Sequence, residues 1–83
     1  MLKARISITL KKTVADPQGL TIKHALESLG YKNLANVRMG KLVIVELDHN
    51  DRKKAQQEIE GMCKKLLANP IIEEYKFEVE KGS

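Results

Sequence analysis

The residues able to do chemistry are few and poorly spaced for it. Histidine occurs twice, as His24 and His49, and neither lies in an HxxxH pairing or beside a CxxC pair. The ligand pattern that grips zinc is missing, and surface or capping roles are expected instead. The single cysteine, Cys63, shares an apolar helical stripe with Ile59, Met62 and Leu67, which makes it a small core hydrophobe. Nothing beside it in sequence would draw off its proton. Glu73 and Glu74 are adjacent in a stretch that alternates like a strand, so they point to opposite faces and cannot work as an acid and base pair. Gly19 and Gly40 belong to neither a GxxxxGK[ST] nor a GxGxxG loop. The cluster that remains is Arg38, Gly40 and Lys41, two cations around a glycine, which reads either as a solubilising turn or as a tip presented to a partner.

Size explains why so little catalytic machinery is expected. The chain has 83 residues, one domain over 1–83, and a domain this short buries only about 60% of the surface its unfolded chain exposes. A deep private cleft is not expected. No apolar run approaches the roughly 20 residues that span a bilayer, and the start, Met1-Leu2-Lys3-Ala4-Arg5, lacks the apolar core of a signal peptide. One cysteine allows no internal disulfide and suits a reducing compartment. The expected location is cytoplasmic, with no membrane partner.

The elements that would position these residues follow from periodicity. Leu2, Ala4, Ile6, Ile8 and Leu10 alternate with Lys3, Arg5, Ser7 and Thr9, predicting a half-buried strand. Asp16-Pro17 is an N-cap followed by a first-turn proline. Ile22, Ala25, Leu26 and Leu29 then keep helical spacing up to Gly30, a C′ residue. Residues 34–47 read as a hairpin: a strand to Met39, Gly40-Lys41 as a two-residue turn, and a second strand over 42–47. That second strand is apolar on both faces, so Leu42 and Ile44 predict an outer sheet face covered by another copy of the chain. After the capping residues Asp48 to Asp51, the positions Ala55, Ile59, Met62, Cys63, Leu66 and Leu67 trace a second helical stripe, ended by Asn69-Pro70. A last strand starts at Ile71, with Tyr75, Phe77 and Val79 facing inward, and Lys81-Gly82-Ser83 forms a frayed end.

The order β-α-β-β-α-β predicts an α+β fold: a two-layer ferredoxin-like sandwich, with an antiparallel four-stranded sheet and two helices on one face. In that arrangement the last strand lies beside the first. Charge agrees, because the outer face of the first strand is basic (Lys3, Arg5) and that of the last is acidic (Glu74, Glu78, Glu80). Residues 1–45 hold eight Lys and Arg against two Asp and Glu (+6), and 46–83 hold seven against nine (−2). The net charge of +4 thus lies in one half and is partly neutralised within the fold. Ferredoxin-like sheets can stack RNA bases on exposed aromatics, yet Tyr75 and Phe77 face inward in this register. A nucleic-acid partner is not expected. A small-ligand regulatory module or an RNA-binding module remains the alternative function.

Several segments, in order, resemble the PurS family, the small subunit of phosphoribosylformylglycinamidine (FGAM) synthase. They are Asp16-Pro17-Gln18-Gly19, Ala25-Leu26-Glu27-Ser28-Leu29-Gly30-Tyr31, Val37-Arg38-Met39-Gly40-Lys41, and the run from Met62 through Asn69-Pro70 to Tyr75. The resemblance covers nearly the whole chain. It implies a role in de novo purine synthesis, where formylglycinamide ribonucleotide, glutamine and ATP yield formylglycinamidine ribonucleotide, glutamate, ADP and phosphate. It further implies that the chemistry belongs to other chains: a glutaminase subunit, PurQ, with its own cysteine nucleophile, and a synthetase subunit, PurL, that uses ATP and magnesium. This chain would bind no cofactor, pair as a homodimer, with a dimer of dimers left open, and bring PurQ and PurL together for ammonia transfer. On that expectation Asp16, Gln18, Arg38, Gly40 and Lys41 face the partners, and Leu42 and Ile44 form the self-dimer.

Overall fold

The computed structural model describes residues 1–82. Its elements are β1 (Leu2–Leu10), α1 (Pro17–Ser28), β2 (Gly40–Leu47), α2 (Arg52–Met62), a π-helical turn (Cys63–Leu67) and β3 (Glu73–Lys81). The described strands form one antiparallel sheet in the order β2-β1-β3. The fold is therefore α+β, with a small antiparallel sheet and two helices, but three strands stand where four were expected.

The missing strand is residues 34–39. They run without regular structure straight into β2, so Gly40-Lys41 is no hairpin turn: Gly40 opens β2 opposite Thr9, and Lys41 stands opposite Ile8. The physical reason lies in where the segment's polar groups go. The Met39 N–H is taken by the Asp16 carboxylate at 2.7 Å, and Gly19 of α1 lies hard against the Val37 carbonyl. A segment engaged in this way has no free ladder to offer a sheet edge.

The rest of the sheet follows the alternation closely. Leu2, Ala4, Ile6 and Ile8 on β1 are buried, as are Ala55, Ile59 and Cys63 below them, with Val43, Val45, Tyr75, Phe77 and Val79 packed around. On the opposite face Lys3 stands across from Glu80 and Arg5 from Glu78, the charge pairing expected of neighbours. Ladder hydrogen bonds fix the register, and each exposed charge pair adds a few tenths of a kcal/mol. β3 starts at Glu73 rather than Ile71, because Asn69 closes a tight turn by accepting the backbone N–H groups of Ile72 and Glu73 at 3.2 and 2.7 Å. The chain end is also better held than expected. Lys81 still pairs with Leu2, and the Gly82 N–H donates to the Met1 carbonyl at 3.0 Å; Ser83 lies outside the described residues.

Both helices start as their caps dictate. Asp16 accepts from the Gly19 N–H at 3.0 Å and Asp51 from the Lys54 N–H at 3.1 Å. α1 ends in a Schellman motif, with Tyr31 donating to Leu26 and Gly30 to Glu27 and Gly30 at φ +107°, a conformation glycine tolerates. At the end of α2 the wider π-helical turn shifts the register. Leu67 and Ala68 come under the sheet, while Leu66, expected in the core, is 83% exposed.

The two helices differ in one respect that periodicity did not reveal. α2 packs on β1 and β3, and Arg52 at its start bonds the Val79 carbonyl. No residue of α1 belongs to the core or to the shell around it, and Gly19 alone among its residues is buried. The expected pair of helices on one face is thus a single helix on the face, with α1 held away from it.

Candidate functional site

The residues singled out as a cluster do come together, at the end of the sheet where β1 stops and β2 starts. Asp16 is at its centre. One carboxylate oxygen caps α1 through Gly19 and the other accepts from Met39, so a single side chain ties the helix start to the strand start. Arg38 completes the knot from outside. Its Nη2 donates to the carbonyls of Lys11 and Val14, both at 2.9 Å, clamping the loop that precedes the helix.

Arg38 and Lys41 therefore do not form the projecting cationic tip that a hairpin would have made. Lys41 lies on the inner side of β2, and its Nζ is 3.5 Å from Glu73 Oε2 on β3, spanning the sheet end that α2 leaves open. Asp16, Gln18, Gly40, Lys41 and Glu73 line a cavity of about 200 Å³ floored by Ile8 and Leu10. Of the five candidates Asp16 is buried and the others are exposed. Glu73 was set aside in sequence for its adjacency to Glu74, which does point the other way, and its membership of the cluster had no local signal.

The electrostatics of the knot favour ionised carboxylates. Hydrogen bonds from the Met39 and Gly19 backbones hold Asp16 below the usual aspartate value, against a smaller opposing effect of burial and with help from Arg38. The Asn69 N–H, and then Lys41, lower Glu73 in the same way. A carboxylate whose folded value is depressed contributes stability above its unfolded value and loses it as pH falls through the folded one. Acid should therefore loosen the knot only below the ordinary carboxylate values, 4.5 for Glu73 and 3.8 for Asp16. Thermal melts recorded from about pH 7 to about pH 2 should show a wild-type acid limb. Asp16→Asn, which cannot accept from both N–H groups, should lower Tm at neutral pH and flatten that limb; an unchanged profile would remove Asp16 from this role.

The remaining reactive side chains are buried, bonded or isolated on the surface. Cys63 is fully buried, and burial, with Glu60 nearby, pushes its thiol up. The Tyr75 hydroxyl donates to Glu60 Oε1 at 2.7 Å, and this bond with burial pushes the phenol up to about 12. Neither group is primed to attack or to pass a proton near neutral pH. His49 is 2.7 Å from Glu58 and accepts from the Asp51 N–H, a loop brace, while His24 is exposed on α1. The outer sheet face presents charges with Leu42 and Ile44, 57% and 42% exposed, and Tyr75 and Phe77 point the other way, so the described residues offer no aromatic platform there for bases.

The bonds of Asp16 and Arg38 tie the first helix to the start of β2, and comparison with known proteins places the chain in a family. The family model for PurS, phosphoribosylformylglycinamidine (FGAM) synthase, matches residues 3–81. The chain belongs to the PurS family. It is 44% identical over 81 residues to the phosphoribosylformylglycinamidine synthase subunit PurS of Methanocaldococcus jannaschii, covering 98% of each chain. A crystal structure of PurS from that organism, one of the subunits of formylglycinamide ribonucleotide amidotransferase in the purine biosynthetic pathway, superimposes with a TM-score of 0.88 at full coverage of both chains. The solved structure of PurLQS from Thermotoga maritima contains a chain similar to this one, with a TM-score of 0.86 and 29% identity over 95% of this chain and 96% of that one.

Proposed function

We propose that this chain is the non-catalytic small subunit of FGAM synthase, holding a glutaminase (PurQ) and an ATP-dependent synthetase (PurL) so that ammonia passes between them. The observation that carries this reading is the likeness, over 95% of the chain, to a protein solved within PurLQS. The burial of Cys63 and the bond from Tyr75 to Glu60 support it, since neither side chain is placed to do chemistry. A rigid adaptor contributes proximity alone: fixing two active sites turns release and recapture of a neutral intermediate into a local transfer. ATP and magnesium belong to the synthetase subunit on this reading, and the cytoplasm is the compartment. No described helix is long and apolar enough to cross a membrane. The family match over 3–81 supports a single domain.

The partner-facing rim we assign to Gln18, Arg38, Gly40 and Lys41, with Asp16 beneath as the residue that holds them in shape. Leu42 and Ile44, exposed on the outer sheet face, are assigned to contact between copies, and the four-stranded two-layer sandwich to the assembled rather than the single chain. Reconstitution with the glutaminase and synthetase subunits tests the whole. Omitting this chain should lower glutamine-dependent turnover at least about 100-fold while ammonia-driven turnover changes little. Lys41→Glu should fall between these limits and weaken co-purification with the partners. Glutamine-dependent turnover that persists without the chain would refute the reading.

A further inference from the structure

The cationic tip that the sequence places at 38–41 exists elsewhere in the fold. Between β1 and α1 the chain makes a four-residue turn, Lys11-Lys12-Thr13-Val14, closed by the Val14 N–H donating to the Lys11 carbonyl at 2.9 Å. Arg38 braces this turn, since its Nη2 donates to the Lys11 and Val14 carbonyls, both at 2.9 Å. The Lys11 N–H in turn donates to the Ile72 carbonyl at 2.8 Å, which ties the turn to the segment leading into β3. Surface turns are ordinarily among the more mobile parts of a domain, and this one is held from two sides by residues distant in sequence. The core does not require it, because no residue of the turn belongs to the core or to the shell around it.

What the braced turn presents is charge. Lys12 is exposed on it and Lys11 stands half-buried beside it. Among the described residues, Lys41, His49 and Lys64 make ion pairs, while Lys11, Lys12 and Arg38 make none. The carboxylates that could neutralise them are committed or placed elsewhere. Asp16 is buried on two backbone N–H groups, and Glu73 holds Lys41. Glu27 stands in the last turn of α1, and Glu78 and Glu80 face Arg5 and Lys3 across the sheet. A turn fixed beforehand loses less freedom when a partner docks on it, and unpaired cations on its rim speed the encounter with an oppositely charged surface.

We propose that the Lys11 to Val14 turn docks on an acidic surface of a partner subunit of FGAM synthase, with Arg38 as the positioning residue that holds the turn in docking shape. This rests on the small-subunit reading above and deepens it: Arg38 acts through the turn, and Lys11 and Lys12 make the contact. A second copy of the chain is not the occupant, because a two-fold contact at the turn sets the patch against itself and brings lysine against lysine, which is repulsive. Nucleic acid fits less well, since the turn has no aromatic side chain on which a base could stack.

Titrating the chain into the glutaminase and synthetase subunits, with glutamine-dependent turnover as the readout, tests it. Lys12→Glu should raise the half-saturating concentration of the chain at least about fivefold at low salt, and the difference should narrow at about 0.5 M NaCl, where exposed charges are screened. Arg38→Ala should raise it as well. Arg38→Lys keeps the charge but ends a bond short of Nη2, and it should not restore wild-type binding. The two effects should not add, because Lys12→Glu in an Arg38→Ala background acts on a turn already released. Each variant alone should sediment as the wild type does. An unchanged half-saturating concentration in Lys12→Glu, rescue by Arg38→Lys, full additivity, or a lower sedimenting mass that places the turn between copies would overturn the proposal. So would RNA retained by the wild-type chain and lost in Lys12→Glu. Should the wild-type chain leave glutamine-dependent turnover unmoved, the small-subunit reading fails and the proposal with it.

Discussion

Gly19→Ala is expected to unseat the first helix. A Cβ at this position would overlap the Val37 carbonyl oxygen and lie 2.8 Å from Asp16 Oδ2. The first of these is backbone, so it cannot swing aside, and relief requires parting the start of α1 from the segment that leads into β2. Overpacking of this kind costs about 1–3 kcal/mol, and each kcal/mol lowers Tm by roughly 4–8 °C in a domain of this size. Propensity alone predicts the reverse, because alanine is the better helix former by about 1 kcal/mol. Gly61→Ala, with nothing near its Cβ, is the matched control and should be neutral or stabilising in the unpaired chain. Melting curves of the two variants decide the matter. A Gly19→Ala chain as stable as wild type would mean that the contact with Val37 has slack. Since the same knot shapes the rim, glutamine-dependent turnover should fall with stability.

Ile59→Ala should be the more damaging change to the core. Ile59 and Cys63 are fully buried one turn apart on the single helix that covers the sheet, against Ile6 and Ile8. Truncating a buried isoleucine costs about 2–5 kcal/mol through lost transfer energy and the cavity left behind. At about 0.05–0.15 kcal/mol per residue, a chain of 83 residues has about 4–12 kcal/mol in total. With no second helix packed on the sheet of the single chain, little surrounds Ile59 that could collapse into the space. Urea unfolding should show a midpoint reduced by a third or more with the slope retained; a loss below about 1 kcal/mol would place Ile59 outside the cooperative core.

The two variants separate what was legible from what was not. The role of Ile59 is written in the i, i+4 spacing of Ala55, Ile59 and Cys63, as Ile6 and Ile8 are written in alternation with Arg5 and Ser7. The clash at Gly19 is written nowhere locally, since it needs Val37 brought back beside a helix that starts twenty residues earlier. The candidate site divides in the same way. Asp16 as a cap and Gly30 as a helix end are short-range facts, whereas the second bond of Asp16 to Met39, the Arg38 clamp and the Lys41–Glu73 pair are long-range ones.

By itself the sequence determined that three of the expected strands and both helices exist, the inward faces of the first and last strands, that these two strands are neighbours, and which family the chain resembles. Periodicity, capping chemistry and charge alternation act between residues a few positions apart, so a linear reading recovers them. Only the tertiary structure decided that 34–39 joins no sheet, that the π-helical turn rotates Leu66 outward, and that α1 carries its apolar stripe away from its own core. An apolar face states that something must cover it; what covers it depends on how the anchored base of the helix is aimed, and that is settled by bonds between residues distant in sequence.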